Sequence, residues 1–88
     1  MNSKRKFTAV DLIPGKEYRV VVEFEDFDGL PHPIGEQWRF AGKNFLPYED
    51  GLTLYIERGG RQLIFRMRWS KEAQADIIDN FSDFVEEL

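Results

Sequence analysis

Residues Glu57-Arg58-Gly59-Gly60-Arg61-Gln62 join two runs of alternating side chains, and no other stretch of the chain constrains its fold as tightly. Before the glycines, Leu52, Leu54 and Ile56 alternate with Thr53, Tyr55 and Glu57; after them, Leu63, Phe65, Met67 and Trp69 alternate with Gln62, Ile64, Arg66 and Arg68. Successive side chains of a strand point to opposite faces, so the pattern predicts two strands with one apolar and one wet face. Adjacent glycines supply the positive φ that primed hairpin turns need to match strand twist. The region reads as a β-hairpin within a small sheet that is solvated on one side.

Upstream, Pro14-Gly15 within Asp11–Lys16 is placed as a type II turn prefers. Tyr18, Val20, Val22 and Phe24 then alternate with charged residues and Val21, which predicts one long half-buried strand. Residues 26–35 hold two prolines and two glycines and read as a loop; 37–41 form a short strand, and 42–51 a second loop. After Trp69 the period changes. Ala73, Ile77, Ile78, Phe81, Phe84, Val85 and Leu88 recur at three- and four-residue spacing behind Ser70, a suitable N-cap. This predicts an amphipathic helix over 70–88 whose apolar stripe packs on the sheet.

The 88 residues form one domain, because smaller pieces would not bury a useful core. Within it, 1–10 read as a flexible N-terminal arm, 16–69 as sheet and 70–88 as helix. Short strands leave an exposed edge unless the sheet curls. The expected fold is therefore mainly β: a small SH3-like, partly open barrel of four or five antiparallel strands with a C-terminal amphipathic α-helix. The alternative is an open antiparallel sheet with the helix packed on one face. In either, Tyr18, Val20, Val22, Phe24, Trp38, Phe40, Leu63, Phe65, Met67 and Trp69 are expected to share a core with Ile77, Ile78, Phe81 and Phe84.

Absences exclude several classes of function. Without cysteine, neither a disulfide framework nor a thiolate metal site can form, and a cytoplasmic location is expected. Asp11, Pro14, Lys16 and Glu17 interrupt any apolar run behind the basic start, and no stretch is long and apolar enough for a membrane span. The net charge of −4 lies at the C-terminal end, where residues 70–88 set Lys71 against Glu72, Asp76, Asp79, Asp83, Glu86 and Glu87. A nucleic-acid partner would favour the opposite sign, so none is expected.

Phe24-Glu25-Asp26-Phe27-Asp28-Gly29, Gly35-Glu36-Gln37-Trp38-Arg39-Phe40 and Pro47-Tyr48-Glu49-Asp50-Gly51-Leu52 follow one another in order. With His32 between the first two, this arrangement resembles a bacterial family of small domains of unknown function. The resemblance covers about residues 12–69 and is carried chiefly by the Gly-Glu-x-Trp-x-Phe and Pro-Tyr-x-x-Gly-Leu motifs. It implies a compact β-rich domain and assigns no catalytic residue.

Candidate chemistry is sparse. Asp26-Phe27-Asp28-Gly29 looks like part of a calcium loop, but the register would demand ligands at Phe24 and Gly35, which have none to give. Turn formation accounts for it better. His32, the only histidine, lies between Pro31 and Pro33 and reads as an ordinary loop residue. Its sharper reading is a general base beside Asp28 or Glu36. Arg19, Arg39, Arg66 and Arg68 share the wet face with enough glutamates to pair with them. No catalytic residue, metal or cofactor is expected.

The expected function is that of a non-enzymatic protein-binding or accessory module. Its binding residues would be Phe27, His32 and Tyr48 in the loops, with the acidic helix face as a second surface for a protein partner. The alternative is a small-molecule binder or small enzyme built around the loop from Asp26 to Glu36. It requires His32 to converge with Asp26, Asp28 and Glu36 around a pocket.

Overall fold

The computed structural model describes residues 6–88. Its strands are β1 (Glu17–Val20), β2 (Phe24–Glu25), β3 (Pro31–His32), β4 (Gln37–Leu46), β5 (Gly51–Arg58), β6 (Arg61–Arg68) and β7 (Val85–Glu87), with one short helix, α1 (Ala75–Asp79). Five strands form an antiparallel sheet in the order β6-β5-β4-β1-β7, while β2 and β3 pair separately as a hairpin. Among the described residues no helix is long and apolar enough to cross a membrane.

The central hairpin follows its sequence. Arg58 pairs with Arg61 across Gly59 and Gly60, whose φ angles of 59° and 80° are those of a type I′ turn. From there Ile56, Leu54 and Leu52 pair with Leu63, Phe65 and Met67, so the apolar sets share one face. Upstream, Gly15 has φ 92° and the Lys16 N–H donates to the Ile13 carbonyl at 3.1 Å, completing the expected type II turn.

The sheet remains open, which corrects the expected SH3-like barrel: β6 and β7 lie at opposite edges and do not pair. What covers its apolar face is not one long helix either. The chain is helical only over Ala75–Asp79, makes a 3₁₀ turn at Phe81–Asp83 and becomes β7. Asn80 ends the helix: its backbone N–H and its Nδ2 both donate to the Asp76 carbonyl, at 3.2 and 2.9 Å. Continued helix would also have placed Glu86 and Glu87 at a dipole end that repels them. As a strand they find cations instead, Glu86 bonding Arg19 and Glu87 lying 3.5 Å from Lys16.

Two loop expectations are also corrected. The strand predicted through 17–25 breaks after Val20, where the N–H groups of Val21 and Val22 turn toward the Phe84 carbonyl. The strand expected to stop at Ala41 instead continues to Leu46, because the register shift between Phe40 and Gly42 absorbs the irregularity as a bulge. The loop expected over 26–35 instead supplies the turn of the tight β2–β3 hairpin and its second strand, Pro31–His32.

Tyr18, Val20, Trp38, Phe40, Leu52, Leu54, Ile56, Phe65, Met67, Ile78, Phe81 and Val85 form the core, with Phe24 laid edge-on against Phe81. Of the expected core residues, Val22 and Leu63 are exposed, while Trp69, Ile77 and Phe84 are half-buried at its margin. The segment expected as a flexible arm is packed from Phe7 onward. Phe7 meets Tyr18 edge to face, Ala9 is fully buried and the Ser82 N–H donates to the Phe7 carbonyl. Residues 1–5 of that arm lie outside the described residues.

Candidate functional site

Two places gather the residues singled out by the sequence, and they differ in kind. The first is a buried polar knot beneath the β2–β3 hairpin. Asp26 folds the hairpin onto itself, its Oδ1 accepting the N–H groups of Asp28 and Leu30 at 2.9 and 3.1 Å. Gly29, at φ 80°, closes the turn. The other oxygen, Oδ2, lies 3.0 Å from His32 Nε2, while Glu36 Oε1 lies 2.7 Å from His32 Nδ1 and also accepts the Trp38 indole N–H at 3.2 Å. Arg58 reaches Glu36 Oε2 from the surface at 3.5 Å.

An ionised carboxylate only accepts hydrogen bonds, so His32 can satisfy both neighbours only as an imidazolium with a proton on each nitrogen. Burial works against that charge. The hydrogen bonds the ring donates to Glu36 and Asp26 and their negative charges outweigh it, and the His32 pKa is raised above its ordinary 6.5. The ring is clamped as well as charged, stacked on Phe24 with centroids 4.8 Å apart and tilted over Phe65 at 4.4 Å. Aromatic faces stabilise a cation in this arrangement.

The convergence expected of a catalytic loop is therefore partial. Asp26 and Glu36 meet at His32, but Asp28 turns outward to Arg66, accepting two hydrogen bonds at 2.7 and 3.2 Å. That guanidinium lowers the Asp28 pKa. A cleft of about 280 Å³ does border the knot, lined by Leu30, Pro31, Ile56, Leu63 and Ile64 beside the three buried groups. Neither ring nitrogen is open to it, because each already faces a carboxylate.

The second place is a surface patch at the far end of the sheet. Phe27 is half exposed and Arg68 lies over its ring, 5.5 Å from the centroid. With Leu46, Glu49, Thr53 and Arg66 it lines a shallow cleft of about 160 Å³. Tyr48 stands fully exposed beside this cleft, in the 3₁₀ turn Pro47–Glu49. His32, expected on the same surface as Phe27 and Tyr48, is only 7% exposed and belongs to the knot. The three expected binding residues thus divide into a pair and an outlier.

The acidic face expected on the C-terminal helix is broken up with the helix. Asp76 and Asp79 remain helical and exposed, Asp79 accepts the Trp69 indole N–H at 3.0 Å, and Asp83 lies in the following turn. On the wet face of the sheet, Arg19, Arg39 and Arg66 lie within ion-pair distance of Glu86, Glu17 and Asp28.

Sequence reasoning missed the aromatic clamp on His32, half of it the local hairpin partner Phe24 and half the distant Phe65, and the Arg58–Glu36 contact. It also passed over Ile64, an isoleucine on the polar side of β6 that is 57% exposed. Its place among Gln62, Arg66 and Arg68 was the available signal.

Comparison with known proteins decides the family. A family model described as a domain of unknown function (DUF3601) matches residues 2–88. The chain belongs to this family. A solved structure, an integron cassette protein from the mobile metagenome of Vibrio cholerae, is similar to it with a TM-score of 0.85 and 31% sequence identity, over 88% of this chain and 86% of that one. No functionally curated protein matches the chain. The family match extends beyond the 12–69 expected from the motifs and takes in the C-terminal segment, where the helix is mostly replaced by a turn and a strand.

Proposed function

We propose that this DUF3601 domain is a non-enzymatic binding module that engages a protein partner through the patch around Phe27 and Tyr48. One observation carries the reading: an aromatic ring and a tyrosine stand exposed at one end of a rigid sheet, beside a shallow cleft that also holds Leu46 and Arg68. Aromatic and arginine side chains are the commonest anchors of protein interfaces. Loops on a rigid scaffold are where binding residues concentrate. The reading places the domain in a bacterial cytoplasm, which a chain without cysteine and a relative encoded in an integron cassette support.

The alternative, a small enzyme or small-molecule binder built around Asp26–Glu36, has the cleft beside His32 in its favour. A general base needs a lone pair within reach of the proton it removes. Held between two carboxylates, His32 offers none, and this supports the binding reading over the alternative.

The test compares the wild-type domain with Phe27→Ala/Tyr48→Ala in cross-linking and capture from the source cell. A partner captured by the wild type and lost from the folded double variant is the expected result. Equal capture by both would move the interface elsewhere, and a turnover abolished by His32→Ala would overturn the non-enzymatic reading.

A further inference from the structure

The β2–β3 hairpin is a flap beside the main sheet and adds no strand to it. It leaves the sheet after Val20, where the Val21 and Val22 N–H groups donate to the Phe84 carbonyl. It returns at Gly35, whose N–H donates to the Val20 carbonyl at 2.8 Å, so both ends are fixed. Between them, one backbone hydrogen bond ties the flap to the outer edge of β6, from the Phe27 N–H to the Arg66 carbonyl at 2.7 Å. Antiparallel ladders alternate inward and outward pairs, and the outward groups further along that edge, at Gln62 and Ile64, have no partner among the described residues. The Asp28–Arg66 ion pair is exposed and adds little.

Two buried rings do most of the holding. Phe24 packs among Phe65, Phe81 and Phe84. His32 joins Asp26 within the flap to Glu36 beyond its second fixed end, and rests on Phe65 of β6. The packing of Phe24 is indifferent to pH, whereas the bridge through His32 exists only while both ring nitrogens carry protons. A neutral imidazole has one N–H and one lone pair. Whichever nitrogen gives up its proton, one carboxylate oxygen then faces a lone pair that repels it. The Asp26 and Glu36 side chains are 0% and 7% exposed, so water can replace the lost donor only if the flap lifts.

No other charge takes over the bridge. Arg58 of β5 touches Glu36 alone, and Arg66 of β6 is bonded to Asp28 and acts on Asp26 only through space. Trp38 of β4 donates to Glu36 without carrying charge, and Glu25 points to the face of the hairpin opposite Phe24.

We propose that His32 latches this flap, seating Phe27 beside Arg68 while the ring carries both protons and releasing it when one is lost. Phe27 lies in the turn that Asp26 organises, so the knot and the patch share one element. As regulation, the inference rests on the reading of that patch as the binding surface. Binding there is favoured below the His32 midpoint and weakened above it.

The test is amide hydrogen exchange in the free ¹⁵N-labelled domain from below pH 6.5 to well above it, each rate taken relative to an unprotected amide at the same pH. The Phe27 and Leu30 amides should be less protected than the Phe40 amide, which donates to the Lys16 carbonyl within the main sheet. Their protection should fall about tenfold per pH unit as pH rises from 6.5 toward the folded midpoint. His32→Gln should abolish the slope. Glu36→Gln keeps an acceptor but removes a charge, so the slope should end at a lower pH. Hairpin amides as protected as Phe40 at every pH would overturn the latch, because the flap would then open only with the whole fold. A flat profile in the wild type, or a slope unchanged in both variants, would overturn it as well. The expected slope together with full partner capture by Phe27→Ala/Tyr48→Ala would support the latch and refute the binding surface instead.

Discussion

The knot around His32 and the outer edge of β6 border the same cleft, yet they treat polar groups in opposite ways. In the knot, Asp26, His32 and Glu36 are buried and each is engaged by at least two partners. At the edge, backbone donors and acceptors of Gln62 and Ile64 face outward beside exposed leucines and an isoleucine. A buried charge left unpartnered costs several kcal/mol, so a saturated network stabilises the fold and has little capacity left for a ligand. Unsaturated groups at a surface are hydrated and lose little by waiting for one. The comparison teaches that the residues resembling a catalytic cluster are holding the hairpin down, and that the polar groups left without protein partners lie at the surface instead.

The largest effect should come from breaking the knot. Asp26→Ala leaves the His32 cation without one of its carboxylates and frees the turn amides of Asp28 and Leu30. Urea unfolding should show a loss of about 3–5 kcal/mol for the broken pair, while the freed amides of Asp28 and Leu30, both exposed residues, are hydrated at little further cost. A loss below about 1 kcal/mol would mean that the knot does not hold the hairpin.

Phe81 packs beneath Phe24 and is fully buried. Phe81→Ala should cost about 3–5 kcal/mol in the same assay. An unchanged transition would show that the C-terminal turn does not cover the sheet.

A smaller effect follows from pH. The folded protein binds the His32 proton more tightly than the unfolded chain does, so this contribution is whole below 6.5 and is lost as pH rises through the higher folded pKa. Unfolding experiments should show stability declining over that window above 6.5. His32→Gln should lack this decline, and an equal slope in the variant would assign it to another group.

The smallest effect on stability should come from the surface patch. Phe27→Ala/Tyr48→Ala removes side chains that are half and fully exposed, and its melting temperature should match that of the wild type. A large drop would turn Phe27 from a proposed binding residue into a structural one.

What the sequence made legible was local. Gly59-Gly60 and the alternation on either side determined the hairpin, and Pro14-Gly15 its turn, because φ preference and side-chain period act within a few residues. The C-terminal segment misled because apolar spacing over 77–88 suits a helix as well as a helical turn followed by a strand. The choice was made by Asn80 and by the pairing of Val85 with Val20 and Glu86 with Arg19, which are tertiary facts. Gly42 read as a strand breaker, whereas the sheet accommodates it beside a bulge. At the candidate site, Asp26, His32 and Glu36 could be named from the loop that carries them. That both carboxylates would close on one ring, clamped by Phe24 and by Phe65 from β6, depended on contacts between distant residues.

The central claim, that His32 is a structural imidazolium and that the domain works through its surfaces, is tested most directly by ¹⁵N NMR of the His32 ring across a pH titration. The account predicts a midpoint above 6.5, with protons on both ring nitrogens below it. A midpoint below 6.5, with one ring nitrogen already unprotonated there, would contradict it and would return His32 to the list of candidate bases.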